Sequence, residues 1–416
     1  MISAGWLGLL VFPGLAWLLS EDRRRFPWRT VVAGLGLQVL LGWLILRTEA
    51  GRSFFGGLDH TFRVLIGFAE QGSAMVFGPL ADTALLRERL GEGNAFIFVV
   101  TVTGTIVLVS ALSALLFHYG ILQRVVRAMA WVMRRSMGTS GCESLAAAAN
   151  IFMGQSEAPL VVRPWLPAMT RSEILSLMVG GMATIAGGVL AAYIAFGISA
   201  GHLLTASVMS APAALLIAKI LLPETGAPAS APVVPADPDE VPVNGLDALC
   251  RGAHDGLLLA GRVMAVLIAL VASVALANHL LALLLGFIGL TEPRPLQTAL
   301  GWLNAPCAWL MGVPWHDCHA VGALLGERIV LNEFVGYLSL SGLMKQDGAL
   351  EPRSVVIATY ALCGFANFAS IAIQAGGIGS LVPSRRGELA RLGLRAMVGG
   401  LLACYLTACI AGLLTP

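Results

Sequence analysis

Apolar residues run along this chain in blocks of about twenty, and the blocks are of two kinds. Eight are unbroken, at residues 2–20, 30–47, 94–118, 172–198, 203–222, 263–288, 354–376 and 396–414. Each matches the length a helix needs to cross a bilayer's hydrocarbon core. Two others are apolar but punctuated. The 120–168 segment carries Gly138, Gly141, Gly154, Pro159, Pro164 and Pro167, and the 295–345 segment carries Pro295, Pro306, Gly312, Pro314 and Gly336. Each is too long for a loop and too interrupted for a plain span. A helical hairpin that enters and leaves on one side fits both. Residues 50–92 predict a partly amphipathic surface helix with glycine breaks. The pattern therefore predicts an all-α polytopic membrane protein with eight transmembrane helices and two opposed re-entrant hairpins, because an open sheet cannot satisfy its backbone in lipid.

Composition agrees. Of the 416 residues 57% are hydrophobic and 12% charged, with a mean hydropathy of +0.81, whereas a soluble domain carries about 25% charge. A net charge of +2 offers no basic surface for nucleic acid. The seven cysteines show no close spacing such as C-x-x-C and read as small apolar filler. The start Met1-Ile2-Ser3-Ala4-Gly5-Trp6 lacks a basic region, so the first block is expected to be a retained span. With eight spans, 17 of the 26 basic residues fall on one side, among them Arg23, Arg24, Arg25, Arg29, Arg134, Arg135 and Arg385. That side is expected to be cytoplasmic. Both termini then lie outside, in a bacterial-type inner membrane.

Residues 226–245, GAPASAPVVPADPDEVPVNG, read as a flexible cytoplasmic linker. The expected organisation is N-terminal spans and an interfacial helix, mainly scaffold, over 1–118, a first repeat with hairpin 1 and an unwound span over 119–222, the linker over 223–247 and a second repeat with hairpin 2 over 248–416. The halves echo each other. Thr170-Arg171-Ser172 leads to Gly181-Met182-Ala183-Thr184, and Pro352-Arg353-Ser354 leads to Gly364-Phe365-Ala366-Asn367. A broken hairpin bearing a glutamate precedes each, with Gln155-Ser156-Glu157 in one and Asn332-Glu333 in the other. Entering from opposite sides, they predict an inverted repeat, a common plan of secondary transporters.

The polar residues inside the apolar blocks carry the chemistry. A carboxylate at mid-membrane costs about 2.5–3.5 kcal/mol on insertion scales, so Glu157 and Glu333 mark functional positions. Pairing of Glu333 with Arg328 is disfavoured, since five residues along a helix lie off the same face. Two carboxylates from opposed hairpins suit a hydroxyl-rich substrate. Asn367 and Ser370 share a helical face, and Phe365 offers a surface for stacking a planar ring. The stretch 180–188 holds four glycines in nine residues, so local unwinding there exposes carbonyls. With side-chain oxygens of Asn150 and Ser156 these form an oxygen-only set suited to Na⁺.

These motifs together resemble the concentrative nucleoside transporter family. The carriers are G-Q-S-E-A-P-L at 154–160, G-G-M-A-T-I-A-G-G-V-L at 180–190, M-G-V-P at 311–314, L-N-E-F-V at 331–335 and G-F-A-N-F-A-S at 364–370, in the family's order. The resemblance implies a sodium-driven inward symporter (proton-driven in some members), a homotrimer with a scaffold and a moving transport domain in each protomer. It implies that Gln155 and Glu157 contact the nucleobase, with Val189 lining that end. Glu333, Asn367 and Ser370 would hold the ribose, bordered by Phe365. Sodium would be held by the Asn150 and Ser156 side chains and the carbonyls of Met153, Thr184 and Ile185. Position 156 is Ser where sodium-coupled members often have Thr, and the hydroxyl is kept.

Three other readings compete. A dicarboxylate transporter of inverted-hairpin type conflicts with two pocket glutamates, which repel anions. A membrane hydrolase would need a base for Ser156, or a metal at His316 and His319. A gate-type protein would recognise nucleosides without transporting them.

Overall fold

The computed structural model describes residues 4–91, 97–228, 242–287, 289 and 291–415. These residues form helices and short turns, with no strand among them. The N-terminal third comprises α1 Gly5–Leu18, α2 Trp28–Leu46, α3 Glu49–Phe77, α4 Thr83–Leu90, α5 Phe98–His118 and α6 Ile121–Met137. The first repeat follows as α7 Gly141–Ala149, α8 Ala158–Val161, α9 Arg171–Ala183, α10 Gly187–Ala195 and α11 Ala200–Leu221. After the linker come α12 Gly245–Gly286 and α13 Pro295–Leu310. The second repeat comprises α14 Trp315–Val330, α15 Glu333–Met344, α16 Pro352–Leu362, α17 Phe368–Leu381 and α18 Arg386–Leu414. The pairs α7/α8 and α14/α15 are the two hairpins, each followed by a helix broken in its middle and then by an unbroken one.

Among the described residues, seven helical stretches are long and apolar enough to cross a membrane. Several expected boundaries shift. The span expected at 2–20 is a 14-residue helix. Gly51, Gly56, Gly57, Gly67 and Gly72 lie within α3 without breaking it, whereas Gly78, at φ +57°, ends it after 29 residues. The stretch counts among the candidate spans although only 11% of its apolar window is buried. Single glycines cost a helix only about 1 kcal/mol each. The span expected at 263–288 belongs to a 42-residue helix that starts at Gly245, where Asn244 caps it by accepting from Asp247 N at 2.9 Å. The linker core, 229–241, lies outside the described residues. The 354–376 block is divided between α16 and α17. The 120–168 and 295–345 segments each hold an additional helix, α6 and α13, before the hairpin proper.

Packing separates an inner bundle from an outer layer. Helices α1, α2, α9, α11, α16 and α18 pack on one another. Within the most apolar stretch of α11, 89% of residues are buried inside the molecule, against 6% for α12. The apolar face of α12 therefore requires lipid or another copy of the chain to cover it. Helix α12 packs on α5, and α5 packs on α3 and α10. A buried ion cluster fastens the first hairpin to the inner bundle. Lys219 Nζ of α11 lies 2.7 Å from Glu143 Oε2 of α7 and 3.1 Å from Glu224 Oε2, and it donates to Ser172 Oγ at 2.9 Å. Glu143 and Glu173 also close matching capping boxes at the starts of α7 and α9, with Ser140 and Thr170 as caps.

Candidate substrate and ion site

Four chain breaks meet, one from each hairpin and one from each broken helix. The break at 184–186 lies against the first hairpin, where Gly187 N donates to Phe152 O at 3.1 Å. Gly181 lies so close to the hairpin tip that a Cβ on it would sit 2.7 Å from Gln374 Nε2 and 3.0 Å from Gln155 Cβ. At the other break Gly364 has φ +147°, and a Cβ there would sit 2.7 Å from the Met182 carbonyl oxygen. Glycine is required at that position by both conformation and space. Arg328, fully buried, secures this second break by donating to the carbonyls of Gly364, at 3.2 Å, and Ala361. Among the described residues it makes no direct contact with the Glu333 carboxylate, on which its charge acts only through space.

Glu333 is the first residue of α15, at the positive end of its dipole. It is 4% exposed. Tyr193 Oη of α10 donates to one of its oxygens at 3.1 Å, and Asn367 Nδ2 donates to the other at 3.0 Å. Two asparagines form the scaffold beneath. Asn332 caps α15 by accepting from Val335 N at 3.0 Å, and Asn367 caps α17 by accepting from Ser370 N at 2.9 Å. Ser370 Oγ then accepts from Gln155 Nε2 of the first hairpin at 3.0 Å, and Gln155 Oε1 accepts from Gln374 Nε2 at 3.1 Å. Glu333, Asn367, Ser370 and Gln155 thus form one hydrogen-bonded chain across the two repeats. Phe365 and Val189 are buried. An aromatic wall backs Glu333, with Tyr193 4.3 Å from Tyr337 and 4.9 Å from Phe334 between ring centroids.

The first hairpin differs in its remaining residues. Ser156 and Glu157 are exposed. Ser156 makes no side-chain hydrogen bond among the described residues, and Glu157 accepts one from Gly154 N of its own turn at 3.4 Å. Asn150 is completely buried, yet neither its oxygen nor its nitrogen has a hydrogen-bond partner among the described residues. The carbonyls of Met153, Thr184 and Ile185 likewise accept no backbone hydrogen bond among those residues. Unpaired buried amides are rare and costly. Such oxygens suit a hard monovalent cation. The Thr184 hydroxyl is engaged, donating to Gly180 O at 2.9 Å.

Tyr193 and Gln374 were not distinguished by sequence reasoning. Each is set among mostly apolar residues of its helix half. His316 and His319 take separate partners. His316 Nε2 lies 3.1 Å from Glu351, and His319 Nε2 lies 3.3 Å from the Thr298 carbonyl.

Helices that span a membrane and break in pairs around a polar core are the plan of a multi-pass membrane transporter. Comparison gives the family. Residues 202–412 match the family model described as Na+ dependent nucleoside transporter C-terminus, and residues 7–80 match that for its N-terminus. Residues 99–200 match Gate, nucleoside recognition. The chain is 41% identical to the Bacillus subtilis protein named Uncharacterized transporter YutK over 410 residues, 98% of each chain. It is 38% identical to sodium/nucleoside cotransporter 1 of Rattus norvegicus over 424 residues, covering 98% of this chain and 63% of that one. It superimposes on CNTnw in an inward-facing substrate-bound state with a TM-score of 0.93 at 39% identity, covering 99% of this chain and 97% of that one. The chain belongs to the Na⁺-dependent nucleoside transporter family.

Proposed function

We propose that this chain imports nucleosides by coupling them to sodium entry. The observation that carries the reading is the pairing of two unlike elements in one place. One is a charged, hydrogen-bonded acceptor set built on Glu333, Asn367, Ser370 and Gln155. The other is an unpartnered, buried Asn150 beside free carbonyls. Glu333 and Asn367 accept from and donate to ribose hydroxyls, and Ser370 completes that end. Gln155 and Glu157 face the base, with Val189 and Phe365 as apolar borders. Asn150, Ser156 and the carbonyls of Met153, Thr184 and Ile185 hold sodium. Binding the ion rigidifies the first hairpin and so prepares Gln155 for the base.

Movement follows an elevator-like plan, in which the hairpins and the inner bundle carry the site past α3, α5 and α12. Related structures of CNTnw include outward-facing and intermediate states at TM-scores of 0.91 to 0.94. The exposed apolar face of α12 is compatible with contact to other copies in the homotrimer that the family resemblance implies. The arginine distribution supports an inner-membrane orientation with both termini outside. Each Na⁺ moving inward down the membrane potential releases about 2.3 kcal/mol per 100 mV, which supports a concentration ratio above tenfold.

Proteoliposomes test this. Tritiated uridine or adenosine is expected to accumulate under an inward Na⁺ gradient, and not under K⁺. Accumulation under a proton gradient with no response to Na⁺ would make the chain a proton symporter. Binding with no accumulation under either gradient would make it a recognition protein of the gate type.

A further inference from the structure

Helix α6 divides into three sectors around its axis. Val126, Ala130, Met133 and Met137 form a buried stripe at helical spacing. Arg124, Arg127, Trp131, Arg134 and Arg135 occupy a second face, and all are exposed. Ile121, Val125 and Val132 form a third, which is exposed and apolar. One sector packs on the protein, one is positive and one is apolar without a protein partner. That combination suits a helix lying in the membrane interface, with its basic face toward headgroups and its apolar face toward acyl chains.

The basic face leads to a cavity of about 300 Å³ between α6 and the start of α2, lined by Arg29, Trp131, Arg134 and Arg135. No acidic residue lines it. Arg29 is held in place by donating to the carbonyls of Arg135, at 3.1 Å, and Ser136, at 3.5 Å. Arg134 and Arg135 make no side-chain hydrogen bond or ion pair among the described residues, so their charge is not neutralised by protein. Trp131 is 67% exposed at the cavity mouth, and Trp28 is 71% exposed one residue before Arg29. Tryptophans at this depth mark the bilayer–water boundary.

We propose that this cavity binds the phosphodiester headgroup of an anionic phospholipid, whose acyl chains lie along the apolar sector of α6. Guanidinium groups bind phosphate oxygens by paired hydrogen bonds, and an interfacial position supplies a lipid rather than a soluble anion. The site also adjoins the root of the first hairpin. Thr30 Oγ1 donates to Met137 O at 3.1 Å, and the next residue, Gly138 with φ +72°, lies directly against Arg29.

The test is native mass spectrometry of the full chain in detergent micelles titrated separately with phosphatidylglycerol and with phosphatidylcholine. Phosphatidylglycerol is expected to bind about tenfold more tightly than phosphatidylcholine. The double variant Arg134→Gln, Arg135→Gln is expected to lose that preference. Arg124→Gln with Arg127→Gln, which removes the same charge from the same helix, is expected to keep most of it. Equal losses in the two variants, or a wild-type chain without headgroup preference, overturn the proposal. Displacement of phosphatidylglycerol by millimolar inorganic phosphate also overturns it, by making this a soluble-anion site. Should the first variant not fold, the wild-type headgroup comparison still decides.

Discussion

The two hairpin tips carry one carboxylate each and treat it in opposite ways. Glu333 is buried, sits at a helix N-terminus and accepts from Tyr193 and Asn367. Glu157 is exposed and accepts one long bond within its own turn. The unmet hydrogen-bonding capacity runs the other way, since beside the first tip Asn150 is buried with both polar atoms unpartnered. The second tip is thus built before any ligand arrives, whereas the first is left for ligands to complete. A preorganised acceptor lowers the cost of binding, and an incomplete one makes binding depend on the second ligand. That asymmetry is what coupling requires, because two ligands that each completed a separate finished site would not assist one another.

The largest expected effect is at the finished tip. Glu333→Gln keeps the shape but removes the charge, and the amide must present a donor where Tyr193 or Asn367 already donates. Hydrogen bonds to charged groups contribute about 1.5–3 kcal/mol, so sodium-driven uridine uptake at subsaturating substrate should fall roughly ten- to hundredfold. Uptake within twofold of wild type would remove Glu333 from the site and dissolve the comparison. Next comes Asn150→Ala, at the open tip. Its signature should differ in kind, with a sodium concentration for half-maximal uptake roughly tenfold higher and near-normal nucleoside affinity at saturating sodium. An unchanged sodium dependence would show that the unpartnered amide does not serve the ion.

Much of this contrast was legible in the sequence, because polar groups between helix breakers are conspicuous in apolar surroundings. Gly154, Pro159 and the glutamates Glu157 and Glu333 stand out for that reason, and the structure places breaks at both tips. Helical spacing disfavours a direct contact between Arg328 and Glu333, and Arg328 binds the carbonyls of Ala361 and Gly364, although its buried charge still acts on Glu333 through space. Tyr193 was not legible. A tyrosine in an apolar helix reads as packing until the fold shows its hydroxyl against a carboxylate 140 residues away. Gln374 was missed similarly, its partners Gln155 and the Met178 carbonyl lying in the other repeat. Helix α3 differs in the other direction. Of the glycines expected to break it only Gly78 ends it, and the five before it lie inside the helix, where each costs about 1 kcal/mol.

Tyr193→Phe probes how far the second tip depends on its own partner. The ring stays in the wall with Phe334 and Tyr337, and one donor to Glu333 is lost while Asn367 remains. A single buried hydrogen bond contributes about 1 kcal/mol, so nucleoside affinity should fall roughly fivefold with no change in sodium dependence. A shift in sodium dependence would mean that the tips share their ligands more than the geometry indicates.

The smallest effect is expected at Ser156, and it tests the comparison most finely. This hydroxyl is exposed and unbonded, unlike the buried Asn150 assigned to the same ion. An exposed ligand can be replaced by water, whereas a buried one leaves an uncompensated gap. Ser156→Thr keeps the hydroxyl and adds a methyl where there is room, so uptake should stay within about twofold. Ser156→Ala should raise the sodium concentration for half-maximal uptake about two- to fivefold, less than Asn150→Ala does. If the two alanine variants raise it equally, the ion draws as much from the exposed turn as from the buried amide. The first tip would then be completed by sodium across its whole length, and not only at its base.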